Sequence, residues 1–352
     1  MTIAALARTE IRNLQAYQAA TVADYNVKMH ANEAPAATGT GETNGLNRYP
    51  APRPAALTSL MADYYGVAEG NVLVTRGSSE GIDLLMRSFC SAGRDNVLLT
   101  PPAFEMYKVY ASIQGIRAIS VPLLAERDFA VNTDLLLGSC DANTKLIFLC
   151  SPNNPVGTVI PRAEIVRILE TRTAKSVVVI DEAYVEYSDT ESLASLVTQY
   201  ENLVVLRTLS KALALAGARC GAVIASTEIL ALLESVLAPY AMASPVITSA
   251  ERALTGMQLR EALESVNTIT AERERLRVAL GNCATIERVW PSQANFLFAR
   301  FHDLAKVKRC LADAGITIRI YADNSELHNC ARITISSATD NDRLLRALRS
   351  LD

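Results

Sequence analysis

Short apolar runs alternate with amphipathic segments through the middle of the chain, from about residue 72 to residue 226. The intervening segments, such as SEGIDLLMRSFCSAG, place apolar residues three and four positions apart, which is the spacing of a helix with one buried face. Several runs are apolar at consecutive positions, which is typical of strands covered on both faces. The pattern therefore predicts an α/β fold with a mostly parallel, seven-stranded sheet. The predicted strands are NVLVT (71–75), NVLLTPP (96–102), AISVPL (118–123), KLIFLCSP (145–152), SVVVIDEAY (176–184), NLVVLRTLS (202–210) and CGAVIAS (220–226).

The pattern changes after residue 226. A long helical stretch rich in Arg and Glu covers about 244–281, and shorter strands and helices follow it, which indicates a smaller α+β domain. The predicted elements there are the strands FLFAR (296–300), ITIRI (316–320) and ARITIS (331–336), a helix near 303–314 and a final helix. We therefore expect three parts: an N-terminal arm and pocket segment (1–45), a large domain (46–245) and a small C-terminal domain (246–352) that part of the N-terminal segment joins.

Composition excludes several classes of function. The chain has 352 residues, half of them hydrophobic, and a net charge of -3, so there is no basic excess for nucleic acid or an anionic membrane. No apolar run reaches the roughly 18 residues of a spanning helix, and the N-terminus lacks the apolar core of an export signal. Seven scattered cysteines favour free thiols in a reducing cytoplasm, and three histidines without CxxC or HExxH spacing argue against a metal site. We expect a cytoplasmic protein.

Four polar clusters fall where predicted strands end, the edge at which ligands bind to open α/β sheets. TRGSSEG (75–81) offers backbone N–H groups and hydroxyls to a phosphate, although alone it is more typical of an ordinary N-cap. SPNNPVG (151–157) could be only a turn. Asp181 follows four β-branched apolar residues, and its carboxylate needs a partner there unless it only caps the strand. Lys211 lies among small apolar residues, in a chain with seven lysines against 27 arginines.

Together, the four clusters suit pyridoxal phosphate. Its aldehyde condenses with a lysine amine, and apolar surroundings and nearby cations lower the pKa of that amine. Its ring nitrogen stays protonated when an aspartate faces it, its ring oxygen accepts a hydrogen bond from an amide, and its phosphate needs a cradle. Asn154 lies 27 residues before Asp181, and Lys211 lies 30 residues after it, which suits neighbouring strands of one sheet.

The ordered set Asn154-Pro155-x-Gly157, Asp181-x-x-Tyr184 and Ser210-Lys211 followed by Arg219 resembles the fold-type I pyridoxal phosphate-dependent aminotransferases of class I/II. Further stretches, over about residues 12 to 336, resemble the histidinol-phosphate aminotransferases within that class. They are MHANEAP (29–35), LNRYPAP (46–52), RGSSEGIDLL (76–85), PPAFEMY (101–107), CSPNNPVG (150–157), DEAYVEY (181–187), LRTLSKALALAGARCG (206–221) and ARITIS (331–336).

The resemblance implies a role for each matching residue. Lys211 would bind the cofactor aldehyde and move the proton, Asp181 would pair with the ring nitrogen, and Asn154 and Tyr184 would hydrogen-bond the ring oxygen. Phe104 would stack on the ring, at a position where relatives often carry tyrosine. The cofactor phosphate would be surrounded by Gly77, Ser78, Ser79, Thr208, Ser210, Arg219 and, from the other subunit, Tyr49. A phosphate contact from the other subunit implies a homodimer with shared active sites.

The implied reaction is a reversible ping-pong transamination between glutamate/2-oxoglutarate and imidazole-acetol phosphate/L-histidinol phosphate. Arg332 and Arg319 would bind the carboxylate and phosphate groups of these substrates, because the planar guanidinium pairs with either anion. Tyr17 and Asn32 resemble pocket residues, whereas Arg319 could also be a solvated strand residue.

Other functions remain open. An aromatic amino-acid aminotransferase and a threonine-phosphate decarboxylase share much of the same pattern. A non-catalytic regulator on this fold would need a DNA-binding domain, and a nicotinamide-dependent dehydrogenase would need GxGxxG after a first strand.

Overall fold

The computed structural model of the chain describes residues 2–16, 29, 31–34, 45–321 and 327–351. Seven strands form its larger sheet: β1 (Val72–Thr75), β2 (Asn96–Leu99), β3 (Arg117–Ser120), β4 (Thr144–Cys150), β5 (Val177–Asp181), β6 (Leu203–Thr208) and β7 (Gly221–Ala225). Their order is β1-β7-β6-β5-β4-β2-β3. β7 runs antiparallel to both of its neighbours, and the other neighbouring pairs are parallel. The prediction of a mostly parallel seven-stranded sheet is confirmed.

Both faces of the larger sheet are covered, which explains the consecutive apolar residues of its strands. Val178 and Ile180 of β5 pack into one apolar cluster, whereas Val177 and Val179 pack into another on the opposite face. Helices supply the other side of each cluster. The helices of this part are α1 (Thr9–Arg12), α2 (Ala55–Tyr65), α3 (Ser78–Phe89), α4 (Met106–Ile113), α5 (Thr133–Ser139), α6 (Arg162–Thr171), α7 (Thr227–Val236) and α8 (Ser244–Ala253). Short 3-10 turns cover Ile3–Leu6, Glu69–Asn71, Ala125–Arg127, Val185–Tyr187, Leu193–Thr198 and Ala216–Ala218.

A second, wholly antiparallel sheet lies in the C-terminal part. Its strands are β8 (Ile286–Val289), β9 (Phe296–Phe301), β10 (Arg319–Ile320) and β11 (Cys330–Thr334), in the order β10-β11-β9-β8. Helices α9 (Gly256–Gly281), α10 (Leu304–Asp313) and α11 (Ala338–Arg349) share an apolar cluster with these strands. The α+β character of this part is as predicted, while the boundaries between the three predicted parts stay predictions.

Three local features differ from the sequence pattern. The predicted helical stretch 244–281 is two helices, because Gly256 has a positive φ of 56° and the backbone turns before α9. Of ITIRI, only Arg319–Ile320 pairs as a strand. β8 was not predicted, since it is four residues long and its two central residues, Glu287 and Arg288, are charged and exposed.

Candidate active site

A cleft opens at the carboxyl ends of β4, β5 and β6. The strand register places Cys150, Asp181 and Leu206 side by side across these three strands. Residues from four of the predicted clusters therefore meet at one edge, as expected for an open α/β sheet. The cleft is lined by Ser78, Ser79, Phe104, Cys150, Asn154, Asp181, Ala183, Tyr184, Thr208, Ser210, Lys211, Ala216 and Arg219.

Lys211 lies three residues after the end of β6 and is partly buried. Its Nζ is 5.7 Å from the centroid of the Tyr184 ring. Burial is the main cause that lowers the pKa of this amine, and the positive charges of Arg332 and Arg219 lower it further, whereas Asp181 opposes them. A larger fraction of Lys211 is therefore the neutral, nucleophilic amine than in an exposed lysine.

Asp181 is the last residue of β5, and only 4% of it is exposed. Its Oδ2 accepts a 2.6 Å hydrogen bond from the Tyr107 hydroxyl, and its Oδ1 accepts one of 3.1 Å from the Ala183 N–H. Burial raises the pKa of this carboxyl, while the two donors and Lys211 counteract the rise. The two donors are neutral, so the ionised carboxylate can still accept a cationic partner from the cleft.

Asn154 connects the cleft with the second sheet. Its Nδ2 donates to the Tyr184 hydroxyl at 3.4 Å, and its Oδ1 accepts from Nη1 of Arg332 at 2.5 Å. The guanidinium carbon of Arg332 is 5.2 Å from the centroid of the Phe296 ring. Within the described part of the chain, the buried Nε of Arg332 has no hydrogen-bond partner. Arg332 on β11 thus reaches Asn154 in the loop after β4, with one donor left over.

Hydroxyl groups and a guanidinium collect at the other end of the cleft. Thr208 and Ser210 place their Oγ1 and Oγ atoms 3.0 Å apart, and Nη1 of Arg219 donates to Ser210 Oγ at 3.4 Å. Gly77 precedes α3 with a positive φ of 73°, and a Cβ there would be 3.0 Å from Nη2 of Arg219. The turn therefore needs glycine both for its backbone angle and for the approach of Arg219. The first turn of α3, with Ser78, adds the free N–H groups of a helix N-terminus to this end of the cleft, and such groups suit an anion.

Phe104 lines the cleft, and Tyr107 stands behind it. The two rings meet edge to face, with centroids 5.7 Å apart, and Tyr107 also stacks on Phe148 at 5.1 Å. Sequence reasoning missed Tyr107. Its signal was present in PPAFEMY, where a tyrosine follows Phe104 by three residues and lies in the first turn of α4.

Arg319 and Arg332 are direct partners in the antiparallel pair of β10 and β11. Opposed residues of such a pair lie on the same face of the sheet, so the two guanidinium groups are neighbours. Arg319 is exposed, and its Nη2 is 3.5 Å from Oε2 of Glu105, which follows Phe104. The second guanidinium is therefore close to the cleft without lining it.

Three further predicted site residues are not among the described lining residues of the cleft. Tyr49 is 58% exposed and stacks on Tyr240, with ring centroids 4.7 Å apart, and it is not one of the described lining residues of its own cleft. Asn32 is exposed and has a positive φ of 56°. Tyr17 is outside the described residues. The roles predicted for these three residues stay predictions.

Among the described residues, none of the helices combines the length and the apolar character needed to cross a membrane. No group of three or more His, Cys, Asp or Glu side chains in this part of the chain is arranged to hold a metal ion.

Comparison with known proteins identifies relatives of the whole chain. The histidinol-phosphate aminotransferase of Xylella fastidiosa is 40% identical over 354 residues, which cover 99% of this chain and 97% of the relative. That of Xanthomonas campestris pv. campestris is 42% identical over 349 residues, covering 98% and 96%. The solved structure of histidinol-phosphate aminotransferase from Sinorhizobium meliloti in complex with pyridoxal-5'-phosphate has a TM-score of 0.78 at 22% identity, covering 88% of this chain and 84% of that one.

The structural likeness supports the fold, and the sequence likeness supports the kind of enzyme. The family model described as "Aminotransferase class I and II" matches residues 13–351, which is nearly the entire chain. The resemblance inferred from the motifs is confirmed, and so is the expectation of an aminotransferase. This chain belongs to the aminotransferase class I and II family.

Proposed function

We propose that this enzyme uses pyridoxal phosphate to transfer an amino group reversibly between glutamate and imidazole-acetol phosphate, giving 2-oxoglutarate and L-histidinol phosphate. The observation that carries the proposal is that Lys211, Asp181 and a group of polar side chains meet in one cleft. The group consists of Thr208, Ser210 and Arg219. The names of relatives at 40–42% identity across nearly the full chain support the choice of substrate.

The residues of the cleft fit pyridoxal phosphate in their chemistry. Asp181 is a buried carboxylate with neutral donors, which suits a protonated ring nitrogen, and Asn154 offers an amide. Gly77, where a Cβ would press on Arg219, leaves a cradle for a phosphate. Phe104 provides an apolar ring face at the cleft. When bound, the cofactor supplies an electron sink that stabilises negative charge at the substrate Cα.

The chain's own residues would then bind and orient the cofactor and move the substrate proton. The lowered pKa of Lys211 enlarges its neutral fraction, and this amine would hold the cofactor aldehyde and later take the proton from the substrate Cα. Thr208, Ser210 and Arg219 would anchor the phosphate and so fix the distance between the ring and Lys211. Tyr184 lies within 3.4 Å of Asn154 and would complete the contact to the ring oxygen.

Arg332 and Arg319 are proposed to recognise the substrate. Two guanidinium groups on one face repel each other, and an anion between them would remove that repulsion. Arg332 has an unused Nε donor, and it would bind the carboxylate of glutamate. Arg319 would bind the phosphate of the imidazole substrate after leaving Glu105, since an exposed pair of this kind contributes little, about 0–1 kcal/mol.

The proposal extends to assembly and location. Tyr49 is exposed and is not among the described lining residues of its own cleft, so its side chain is available for a contact to the phosphate site of a second copy. We therefore propose a homodimer with shared active sites. We also propose a cytoplasmic enzyme, supported by its relatives in a biosynthetic pathway and by seven cysteines that are all free.

Steady-state assays of the purified enzyme test the substrate. We expect a kcat/KM for histidinol phosphate with 2-oxoglutarate at least about 100-fold above that for phenylalanine, because a site built for a phosphate strongly disfavours a substrate without one. No decarboxylation of threonine phosphate is expected. Negligible turnover of histidinol phosphate beside good turnover of phenylalanine would overturn the proposed substrate. Lys211→Ala should abolish both turnover and the visible absorbance of the bound cofactor, and unchanged turnover in that variant would overturn the mechanism.

A further inference from the structure

Tyr107 occupies a position that the roles described so far leave unused. It lies in the second position of α4, is 1% exposed and donates its hydroxyl to Oδ2 of Asp181 over 2.6 Å. A distance of 2.6 Å is short for a hydrogen bond and typical of one between a hydroxyl and an ionised carboxylate. Tyr107 therefore holds the Asp181 carboxyl in place, and its hydroxyl favours the ionised form against the effect of burial.

The ring of Tyr107 is fixed on two sides. It stacks on Phe148 of β4, with an angle of 21° between the rings, and it meets Phe104 nearly at right angles. A buried ring held in this way keeps its hydroxyl at one point, so the direction of the hydrogen bond is fixed as well. Tyr107 thus connects the carboxylate at the end of β5 with the aromatic ring that lines the cleft.

We infer that Tyr107 is a positioning residue, whose hydroxyl keeps the Asp181 carboxylate ionised and oriented for the ring nitrogen of the cofactor. The inference rests on the proposed cofactor. With Tyr107 on Oδ2 and the Ala183 N–H on Oδ1, each oxygen keeps a further lone pair for a cation in the cleft. Without the hydroxyl, the carboxylate would lose one of its two hydrogen bonds in a site with little water.

The inference makes cofactor binding depend on pH in a defined way. Burial raises the pKa of Asp181, and the Tyr107 hydrogen bond lowers it, so removal of the hydroxyl should raise the pKa further. The titratable groups that face Asp181 are Tyr107, Cys150, Tyr184 and Lys211. Burial raises the pKa values of the first three, which keeps these groups neutral in mildly acidic solution. Lys211 is present in both the wild type and the variant.

Tyr107→Phe tests the inference because it removes one oxygen and keeps both ring contacts. The probe is pyridoxamine 5'-phosphate, which has an amine in place of the aldehyde and does not condense with Lys211. Its dissociation constant is measured by equilibrium dialysis of the apoenzyme from about pH 5 to pH 9. In the variant we expect the loss of affinity on acidification to begin about one pH unit higher, with binding about tenfold weaker on the acid side. The ionisations of the probe itself are common to both proteins and cancel in the comparison.

Two further proteins separate positioning from packing. Tyr65→Phe removes another buried hydroxyl, one that has no hydrogen-bond partner in the described part of the chain, and it should leave the pH dependence unchanged. In an Asp181→Asn background, Tyr107→Phe should have no further effect on the pH dependence, since no carboxylate remains to titrate. A shift that persists in this background, or an unshifted single variant, overturns the inference. Failure of the wild-type apoenzyme to bind the probe at any pH overturns the proposed cofactor as well, so the two failures are distinguishable.

Discussion

Replacing Gly221 by alanine should disturb the end of the cleft that is proposed to hold the phosphate, without touching any of its side chains. Gly221 begins β7 and is paired with Thr208 of β6 on one side and with Thr75 of β1 on the other. A Cβ at this position would lie 2.6 Å from the carbonyl oxygen of Arg207 and 3.0 Å from both the Cα and the carbonyl carbon of Gly77. All three atoms belong to the backbone, so no flexible side chain can move aside.

The size of the effect follows from these distances. Overpacking of a tight core costs roughly 1–3 kcal/mol, and the immobile backbone places Gly221→Ala in the upper part of that range, at about 2–3 kcal/mol. An unfolding entropy of about 2.1 cal/mol/K per residue gives roughly 0.7 kcal/mol/K for the 352 residues, if they unfold together. The melting temperature of the apoenzyme should therefore fall by about 3–4 °C. Because the clash separates the strand of Thr208 from the turn at Gly77, binding of pyridoxamine 5'-phosphate should weaken about tenfold.

Differential scanning calorimetry and equilibrium dialysis measure the two effects on the same preparation. Gly138→Ala is the matched control, since this glycine lies in α5 with open space around its missing Cβ. That change should be neutral or stabilising by about 0.5–1 kcal/mol, because alanine favours a helix over glycine. If Gly221→Ala melted at the wild-type temperature and bound the probe as tightly, the close approach of the three backbone segments would be refuted.

Two other perturbations address buried charge. Arg207→Met should destabilise the apoenzyme by about 3–5 kcal/mol in denaturant titrations, because it leaves Glu182 and Glu186 buried without their guanidinium partner, and a loss below about 1 kcal/mol would contradict this. Asp181→Asn should raise the apoenzyme's melting temperature at pH 7 relative to wild type. Burial raises the pKa of Asp181 above its unfolded value. The stabilisation that this carboxyl gives is therefore complete only below about pH 4 and is lost as the pH rises through the folded pKa. The difference in melting temperature between this variant and wild type should shrink on acidification. A difference that stays constant across pH would contradict a raised pKa of Asp181.

The sheet was predictable from the sequence because its signal is local. A strand such as β5, with all five residues buried, must be apolar at consecutive positions, and few other elements of that length look the same. The weaker elements depend on their neighbours instead. β8 has two exposed charged residues at its centre, and it forms a strand because the edge of β9 offers it backbone partners. The break before α9 depends on the extended backbone at Thr255 and the positive φ at Gly256, which an apolar pattern does not report.

The meeting of these polar residues in one cleft was predictable for a different reason. Lysine, aspartate and hydroxyl residues at strand ends have few alternative uses in apolar surroundings, so their order along the chain already restricts the chemistry. The contacts between distant segments were beyond such reasoning. The Arg332 bond to Asn154 joins residues 178 positions apart in the chain, and only the packing of the two sheets brings them within 2.5 Å. The Tyr107 bond to Asp181 is of the same kind, across 74 positions.

Glu182, the second residue of DEAY, and Arg207, the residue before Thr208, form a buried ion pair that the sequence did not suggest. Successive side chains of a strand point to opposite faces, so Asp181 and Thr208 face the cleft while Glu182 and Arg207 point behind it. Behind the sheet, Arg207 lies 3.6 Å from Glu182 and 2.7 Å from Glu186, and all three side chains are almost completely buried.

The ion pair behind the sheet ties the carboxyl end of β5 to that of β6 at the place where each strand carries a residue of the proposed cofactor site. The distance between Asp181 and Thr208, and so between the ring nitrogen and the phosphate of the proposed cofactor, depends on this tie. Loss of Arg207 should therefore weaken binding of pyridoxamine 5'-phosphate as well as stability, although Arg207 does not line the cleft. An Arg207→Met variant that is destabilised yet binds the probe with wild-type affinity when folded would show that the tie serves stability alone.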